Sequence, residues 1–424
     1  MAETFDVVVI GAGPTGENAG ARAAAGGLKV ALVEHELLGG ECSYWACMPS
    51  KALLHPGETI KEPLKAEAVL KHRDKMVSGY DDKSQVKWAE GAKLTVVRGR
   101  GKLTGPRKVT VEGKDGKVRE LEARRAVVIA TGSKPRMPDI QGLKDSRPWD
   151  NREGTGSKAV PGRLVVLGGG VEAVELAQAW RELGSEVTLV QRGPRLLTRF
   201  EPFVGEQVAQ ALRDTGVRVF LETQATKVQR SGEGKGEYTV TLSNRDTLRA
   251  DALLVAMGRT ARTDDVGVDT VGLKPGASIE VDDQLRAKGV DGGWLYACGD
   301  VNGRNLLTHM GKYQARLVGD VILGKPAKAW ADTKATPQVV FTHPQVASVG
   351  HTEEQARKAG VPVKTVQYRV IVGATFTGPG VGEMLHAATI AVAGEVPLDT
   401  LWHAVPSYPT MSEVWLRLLE AYGL

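Results

Sequence analysis

The chain has little sulfur and few aromatic rings. Among its 424 residues there are three cysteines, and aromatic residues account for 5% of the chain. So few cysteines in a chain of this length are typical of a reducing compartment, where a close cysteine pair is more often catalytic or metal-binding than structural. We therefore expect a cytoplasmic protein.

Long hydrophobic runs and dense basic segments are also missing from the sequence. No run approaches the roughly 18 uninterrupted apolar residues that would indicate a membrane-spanning helix. The formal net charge is +5, and no Lys/Arg block with interleaved aromatics is present. The N-terminal segment "MAETFDVVVIGAG" has no basic region and is typical of a first β-strand, not of a signal peptide. We expect neither a membrane nor a nucleic acid as a partner.

What the sequence does contain is a glycine fingerprint near its start. In "FDVVVIGAGPTGENAGARAAAGG" an apolar strand is followed by Gly11, Gly13 and Gly16, and then by an alanine-rich helix. Such glycines allow a tight turn, close approach of a pyrophosphate and close packing of helix on strand. The next strand, "KVALVE", ends in Glu34, which is placed to accept hydrogen bonds from a ribose. This pattern predicts a dinucleotide-binding fold.

The same pattern recurs in "RLVVLGGGVEAVELAQAWRELGSEVTLVQRGPR", where Gly168 and Gly170 begin the second fingerprint. The following strand ends at Gln191, a position where an NAD site has an acidic residue, and Arg192 and Arg195 come next. Guanidinium groups attract a 2′-phosphate, so the sequence favours NADP(H) over NAD(H). The alternative, that both arginines are solvated loop residues, stays open.

The cysteines themselves form a conspicuous pattern. In "GGECSYWACMPSK" Cys42 and Cys47 lie five positions apart, whereas Cys298 is far away in a strand and is expected to pack in the core. The close pair is compatible with two structural thiols, half of a metal site or a redox pair. A zinc site would need two further ligands that the sequence does not supply.

Together and in order, these motifs resemble those of the class I pyridine nucleotide-disulfide oxidoreductases, a family that includes dihydrolipoamide dehydrogenase, glutathione reductase and mercuric reductase. The resemblance rests on GAGPTG, C-x4-C-x-P-S-K, ATG in "VVIATGSKP", the second fingerprint, CGDV and "YPTMSE". It implies an α/β fold with two Rossmann-like dinucleotide-binding domains and a C-terminal α+β dimerisation domain. The FAD-binding domain would consist of residues 1–150 and 258–325. The NAD(P)H-binding domain would consist of residues 151–257. The dimerisation domain, residues 326–424, would join two chains in a homodimer.

The resemblance also implies roles for the cysteine segment. Cys47 would face the flavin, and Cys42 would exchange with the substrate. Positions i and i+5 of a regular helix lie about 8–9 Å apart at Cα, beyond disulfide reach. The chain must therefore bend, or begin a helix, between the cysteines; we expect a helix start at Pro49 that helps to hold Cys47 as a thiolate. Lys51 and Glu175 would form an ion pair beside the flavin.

Further residues are expected to contact the cofactors. Asp300 resembles the aspartate that binds the ribityl chain of FAD, while Thr308 and His309 fall where the family approaches the flavin ring. The remaining expected cofactor contacts are Gly40, Thr131, Gly132, Gly258 and Arg259.

One motif departs from the family pattern. Disulfide reductases commonly have a histidine before Pro-Thr-x-x-Glu, but this chain has Tyr408, followed by Glu413. We expect both side chains at the substrate, although a tyrosine, with an ordinary pKa of about 10, is a poor proton shuttle near neutrality.

These features predict a homodimeric flavoenzyme of cell redox homeostasis, similar to dihydrolipoamide dehydrogenase. Electrons would pass from NAD(P)H through FAD to a redox-active Cys42–Cys47 disulfide, and then to a small-molecule disulfide. Two alternatives remain open. The first is a quinone or diaphorase-type reductase that uses flavin directly, and the second is a redox-sensing flavoprotein of low turnover.

Overall fold

The computed structural model describes residues 2–59, 65–234, 236–360, 370–406 and 410–423. The strands in chain order are β1 (Glu3–Ile10), β2 (Val30–Glu34), β3 (Leu94–Arg98), β4 (Arg100–Gly105), β5 (Lys108–Glu112), β6 (Val118–Ile129), β7 (Ser133–Pro135), β8 (Arg163–Leu167), β9 (Glu186–Val190), β10 (Arg218–Phe220), β11 (Ala225–Arg230), β12 (Tyr238–Leu242), β13 (Thr247–Ala250), β14 (Ala252–Val255), β15 (Arg259–Ala261), β16 (Leu295–Ala297), β17 (Pro337–Val340), β18 (Gln345–Gly350) and β19 (Gly373–Gly378).

The α-helices follow the same order. They are α1 (Pro14–Ala25), α2 (Gly40–Tyr44), α3 (Cys47–Thr59), α4 (Ala66–Met76), α5 (Lys83–Gly91), α6 (Asn151–Gly156), α7 (Val171–Glu182), α8 (Pro202–Asp214), α9 (Ser231–Gly234), α10 (Thr308–Ile322), α11 (Ala331–Lys334), α12 (Glu353–Lys358), α13 (Val381–Ala393), α14 (Leu398–Trp402) and α15 (Glu413–Tyr422). No helix in these described ranges is long and apolar enough to cross a bilayer.

The first sheet has seven strands. Six follow the order β3-β2-β1-β6-β5-β4, and the seventh, β16, pairs with the last three residues of β6. Strands β3, β2, β1, β6 and β16 are parallel, whereas β4 and β5 form an antiparallel extension. The sequence of β6 explains both pairings. Its first eight residues are exposed except for Leu121 and Ala123, which are two apart and share a face. Its last four residues, ending at Ile129, are all buried, as in a strand covered on both faces.

A second parallel sheet has the order β10-β9-β8-β14, and a three-stranded antiparallel sheet, β11-β12-β13, accompanies it. Helix α7 follows β8 and packs its apolar face on this sheet. Leu53 and Leu54 of α3 belong to the same core cluster as Val174 and Leu176 of α7. This shared core holds the cysteine-bearing helix against the second dinucleotide fold.

The C-terminal part contains the antiparallel sheet β17-β18-β19. Helix α13 covers it through Leu385, Ala388 and Val392, which join Phe376 in one buried cluster. The predicted fold class, α/β with two Rossmann-like folds and a C-terminal α+β domain, is confirmed.

Candidate active site

The first glycine fingerprint forms a tight turn at the carboxyl end of β1. Gly11 has a φ of +101°, and a Cβ on it would lie 2.5 Å from the carbonyl oxygen of Ala130. A Cβ on Gly16 would overlap the carbonyl oxygen of Gly11. Only glycine fits either position. Beyond the turn, Glu34 accepts a hydrogen bond from the amide of Ala12 at 2.9 Å.

A cleft of about 490 Å³ opens at this edge of the sheet. Its wall includes Cys298, Cys42 of the close cysteine pair and most of the expected FAD contacts: Gly11, Gly13, Glu34, Gly40, Thr131, Gly132, Arg259, Asp300 and Thr308. The turns at Gly13 and Gly40 meet closely, because a Cβ on Gly40 would lie 2.8 Å from the Cα of Gly13. The floor of the cleft is therefore bare backbone, which lets a phosphate group approach peptide N–H groups.

Polar groups at other points of this cleft also suit FAD. Asp300 accepts a hydrogen bond from the Ser133 hydroxyl at 2.6 Å, and burial raises the pKa of its carboxyl. Arg259 donates to Ser133 at 2.7 Å and to Asn151 at 3.1 Å, so it braces this wall. A carboxylate placed for a ribose, a bare floor and a half-buried carboxyl that lines the same cleft as Cys42 fit a flavin dinucleotide.

The cysteines lie on either side of a break between two helices. Helix α2 ends at Tyr44, and α3 begins at Cys47, which confirms that a helix begins between them. The expected start at Pro49 was wrong by two residues. The carbonyl of Ala46 already accepts the hydrogen bond from the amide of Ser50 at 3.0 Å, and Pro49 fits the first helical turn because no N–H is needed there.

The two sulfurs are free thiols with opposite electrostatic environments. A hydrogen bond from Cys42 lowers the pKa of Cys47 to about 6, and Thr308 and Lys51 act in the same direction against the effect of burial. The Thr308 hydroxyl lies 3.2 Å from the Cys47 sulfur. The pKa of Cys42 is raised, first by its hydrogen bond to Cys47 and then by burial. The Thr308 hydroxyl and the Lys51 ammonium therefore favour the thiolate form at Cys47 over the thiolate form at Cys42.

Lys51 and Glu175 form an ion pair with an Nζ–Oε2 distance of 2.6 Å. The glutamate is only 3% exposed, and its second oxygen accepts a hydrogen bond from the amide of Phe341 at 2.9 Å. The Lys51 ammonium also lies 4.7 Å from the centroid of the Phe341 ring. One pair thus joins α3, α7 and the segment after β17.

The second fingerprint has the same turn geometry as the first. Gly168 has a φ of +123°, and a Cβ there would overlap the carbonyl oxygen of Ala256. Gly170 is the N-cap of α7. The side chain of Gln191 lies against Gly169 and donates to the carbonyl of Arg195 at 3.4 Å.

Two charged side chains lie near this turn: Glu172 in the first turn of α7, and Arg192 in the loop after β9. Arg192 is exposed. Burial raises the pKa of the Glu172 carboxyl to about 7.

Three other expected site residues, His309, Gly258 and Glu413, are not part of the cleft wall described above. His309 is exposed and hydrogen-bonds the carbonyl of Pro337 at 2.6 Å. Gly258 has a φ of +105°, and its carbonyl accepts from the amide of Arg136 at 2.9 Å. Glu413 begins α15, and Tyr408 lies outside the described residues.

Sequence reasoning missed an ionic cluster at the cleft. Arg152 donates two hydrogen bonds of 2.9 Å to Glu36 and two more, of 2.9 Å and 2.6 Å, to Glu41. Its guanidinium lies 3.9 Å from the Trp45 ring centroid. Asn151 adds a hydrogen bond to Glu41 at 2.9 Å. The partners are more than 100 residues apart in sequence, so no local motif announces them.

Comparison with known proteins identifies the family. Residues 5–315 match the model described as pyridine nucleotide-disulphide oxidoreductase, and residues 336–371 and 366–419 match the dimerisation domain of that family. The chain belongs to the pyridine nucleotide-disulphide oxidoreductases.

Individual relatives support the assignment. The chain is 32% identical to dihydrolipoyl dehydrogenase 3 of Pseudomonas aeruginosa over 97% of each chain. It is 29% identical to a mercuric reductase of Lysinibacillus sphaericus over 97% of this chain and 81% of that one. The HOCl-induced flavoprotein disulfide reductase RclA from Escherichia coli superposes with a TM-score of 0.86 at 25% identity, covering 98% of this chain and 99% of the other.

The chain is accordingly a flavoprotein disulfide oxidoreductase that uses FAD and a pyridine nucleotide. The predicted family, enzyme class and main function are confirmed. The matched dimerisation domain supports a homodimer.

Proposed function

We propose that this enzyme reduces a small-molecule disulfide with NADPH, through FAD and the Cys42–Cys47 pair. The observation that carries the proposal is the placement of the pair: Cys42 lines the cleft, and Cys47 begins α3 with its sulfur 3.2 Å from the Thr308 hydroxyl. The pKa is accordingly lowered for Cys47 and raised for Cys42. This difference in pKa suits a pair in which one sulfur stays close to the cofactor as a thiolate and the other exchanges with the substrate. The pair is then a redox pair and not a structural one.

FAD, when bound, supplies a carrier that takes two electrons from the nicotinamide and passes them to a disulfide. Gly11, Gly13 and Gly40 would hold its pyrophosphate, and Glu34 its adenosine ribose. Asp300 would bind the ribityl chain. Thr131, Gly132 and Arg259 line the same cleft and complete the wall.

Lys51 would place its ammonium beside the flavin and stabilise negative charge there. Glu175 orients that ammonium, because both of its own oxygens are hydrogen-bonded. Thr308 holds the Cys47 sulfur on the same side through its 3.2 Å contact.

In the substrate half of the cycle, Cys42 attacks one sulfur of the substrate disulfide, the substrate S–S bond breaks, and the first substrate thiol departs, which leaves a mixed disulfide on Cys42. Cys47 then attacks the Cys42 sulfur, releases the second thiol and closes the Cys42–Cys47 disulfide. We assign Tyr408 and Glu413 to the substrate site as residues that arrive from the partner of the homodimer.

NADPH is favoured over NADH by the end of β9. Gln191 places no carboxylate where a 2′-phosphate would lie, and the adjacent Arg192 is exposed and free to approach such a phosphate. Gly168 and Gly170 open the turn for the pyrophosphate.

We divide the chain into residues 1–150 with 258–325 for FAD, 151–257 for NADPH and 326–424 for the dimer. The pairing of β16 with β6 and of β15 with β7 supports the return of the chain to the first domain. The low cysteine content supports a cytoplasmic location.

A quinone reductase that uses flavin directly is the second candidate, because the tyrosine at position 408 replaces the family's usual proton shuttle. Replacing Cys42 by serine separates the two. Loss of disulfide reduction with retained quinone reduction is expected, whereas full disulfide reduction in Cys42→Ser would overturn the proposal.

A further inference from the structure

The short helix α6 contacts the cysteine-bearing segment on both sides of Cys42. Asn151, the first residue of α6, donates through its side-chain amide to Glu41 at 2.9 Å and to the carbonyl of Trp45 at 2.9 Å. The oxygen of the same amide accepts a hydrogen bond from Arg259 at 3.1 Å. Asn151 is only 3% exposed, and both of its N–H bonds and its oxygen have partners. One buried side chain therefore ties the residue before Cys42 to the residue three positions after it.

Two further residues of α6 reinforce this contact. The Thr155 hydroxyl lies 3.1 Å from the carbonyl oxygen of Trp45 and 2.8 Å from that of Asn151, so it shares its proton between the two. Arg152 pairs with Glu41 and lies over the Trp45 ring. Trp45 is thus held both by its carbonyl and by its side chain.

Helix α6 is itself anchored to the second dinucleotide fold. Just before the helix, the amide of Trp149 donates to the carbonyl of Leu253 in β14 at 2.7 Å. The indole N–H of Trp180, on α7, donates to the carbonyl of Gly154 at 2.9 Å. The segment between the cysteines is therefore supported from outside the sheet that carries the first glycine fingerprint.

The two sulfurs are held from different directions. Cys47 begins α3, and its sulfur lies 3.2 Å from the Thr308 hydroxyl of α10. Cys42 lies in the segment that α6 holds, and its thiol donates a hydrogen bond to the Cys47 sulfur. The sulfurs thus meet as free thiols before a bond joins them. Such preorganisation raises the effective concentration of one reacting group at the other.

We propose that Asn151 is a positioning residue that holds the turn between Cys42 and Cys47 so that the dithiol closes to the disulfide. This inference rests on the proposed disulfide reduction. The disulfide restrains the turn by its own cross-link, whereas the dithiol depends on Asn151 and Thr155 for that restraint. Loss of these hydrogen bonds therefore frees the dithiol more than the disulfide, and the equilibrium moves towards the reduced pair.

The step that Asn151 assists is the closing of the cysteine pair. Cys47 attacks the Cys42 sulfur of the mixed disulfide, and the bond from Cys42 to the substrate sulfur breaks. The electron pair of that bond leaves with the substrate sulfur, which takes a proton from solvent. Over the whole exchange the two cysteines lose two electrons to the substrate disulfide, which becomes two thiols.

The test is the redox equilibrium of the cysteine pair in Asn151→Leu, in which a side chain of similar size has no hydrogen-bonding group. The holoenzyme is equilibrated anaerobically in mixtures of oxidised and reduced dithiothreitol or glutathione, quenched in acid and alkylated with a maleimide. Mass spectrometry of the peptide with both cysteines then gives the disulfide fraction. We expect the equilibrium constant for disulfide formation to fall about tenfold, which raises the reduction potential of the pair by about 30 mV.

Two substitutions at Thr155 test the same carbonyl contact with a smaller change. Thr155→Val removes the hydroxyl and should raise the reduction potential in the same direction as Asn151→Leu. Thr155→Ser retains the hydroxyl and should match the parent enzyme.

Gln178→Leu is the matched control for the loss of a buried amide. Gln178 of α7 is 2% exposed, donates to Glu182 at 2.8 Å and accepts from the amide of His343 at 2.7 Å. Its replacement should lower the thermal stability and leave the reduction potential of the cysteine pair unchanged, because these contacts do not reach the cysteine segment.

Three results would contradict this account. A parent-like equilibrium constant in Asn151→Leu would overturn the inference, as would an equal shift in Gln178→Leu. Where Asn151→Leu does not fold, the Thr155 variants decide, and equal potentials of Thr155→Val and Thr155→Ser would overturn it. A parent enzyme whose Cys42 and Cys47 form no disulfide in the most oxidising mixture would instead contradict the proposed function.

Discussion

The ammonium of Lys51 lies 2.6 Å from one carboxylate oxygen of Glu175, while the other oxygen accepts the amide hydrogen of Phe341. These contacts join the cysteine-bearing helix, the nicotinamide fingerprint helix and the C-terminal domain at one buried carboxylate. Under the proposed function, in which Lys51 lies beside the flavin, these three parts of the chain together would fix the position of its ammonium.

Glu175→Leu should reduce both stability and the rate of flavin reduction by NADPH. The variant leaves the Phe341 amide without its acceptor and Lys51 without its partner, which costs about 2 kcal/mol. Glu175→Gln keeps an oxygen for the Phe341 amide and should keep most of the stability while still losing rate. Thermal release of FAD and stopped-flow flavin reduction measure the two effects. Equal stability loss in both variants would contradict this division.

Thr308→Val should raise the pKa of Cys47. The hydroxyl stabilises the thiolate, so its removal moves the pKa upward from about 6 towards the ordinary thiol value. The thiolate is present above the pKa and lost below it. A pH titration of the long-wavelength absorption of two-electron-reduced enzyme should therefore show a higher midpoint in Thr308→Val. Thr308→Ser retains the hydroxyl and should titrate like the parent; a shift in Thr308→Ser as large as that in Thr308→Val would contradict the role of the hydroxyl.

Arg152→Met should weaken FAD binding about tenfold or more. The change leaves Glu36 and Glu41 facing each other at the cleft without their shared cation. Arg163→Met, which removes the ion pairs of β8 with Asp251 and Glu237, is the matched control. The dissociation constant of FAD, measured by flavin fluorescence, should be larger for Arg152→Met than for Arg163→Met. The same constant in both variants would show that the Arg152 cluster does not support FAD binding.

Gln191→Glu should shift cofactor preference towards NADH. A carboxylate at the end of β9 repels a 2′-phosphate and accepts hydrogen bonds from a 2′-hydroxyl. We expect the ratio of kcat/KM for NADPH to that for NADH to fall at least about tenfold, which corresponds to ~1.4 kcal/mol. Gln210→Glu, on the exposed face of α8, controls for added charge. An unchanged ratio of kcat/KM values in Gln191→Glu would remove the basis for assigning NADPH as the preferred reductant.

Features with a local chemical cause were predictable from the sequence. Gly11 and Gly168 are required by turns in which a side chain would strike a neighbouring carbonyl, and such turns have a recognisable sequence. The helix break between Cys42 and Cys47 followed from the reach of a disulfide. The helix start itself was misplaced because Pro49 is tolerated anywhere in a first turn.

Features that depend on tertiary approach were not predictable. Arg152 meets Glu36 and Glu41 only because α6 folds back over the first domain, and no spacing rule connects them. Glu17, in the first turn of α1, has the sequence context of an exposed helix residue, yet it is only 7% exposed. Its burial arises from the packing of α10 on α1, nearly 300 residues later in the chain.

The central claim, that electrons reach Cys47 through flavin, is tested most directly by an anaerobic titration of the purified enzyme with NADPH. The account predicts uptake of more than one two-electron equivalent before the flavin is fully bleached, with a long-wavelength band from the Cys47 thiolate beside oxidised flavin. Cys47→Ser should lack that band. Complete bleaching of the parent enzyme after a single equivalent, without the band, would place the cysteines outside the electron path and contradict the account.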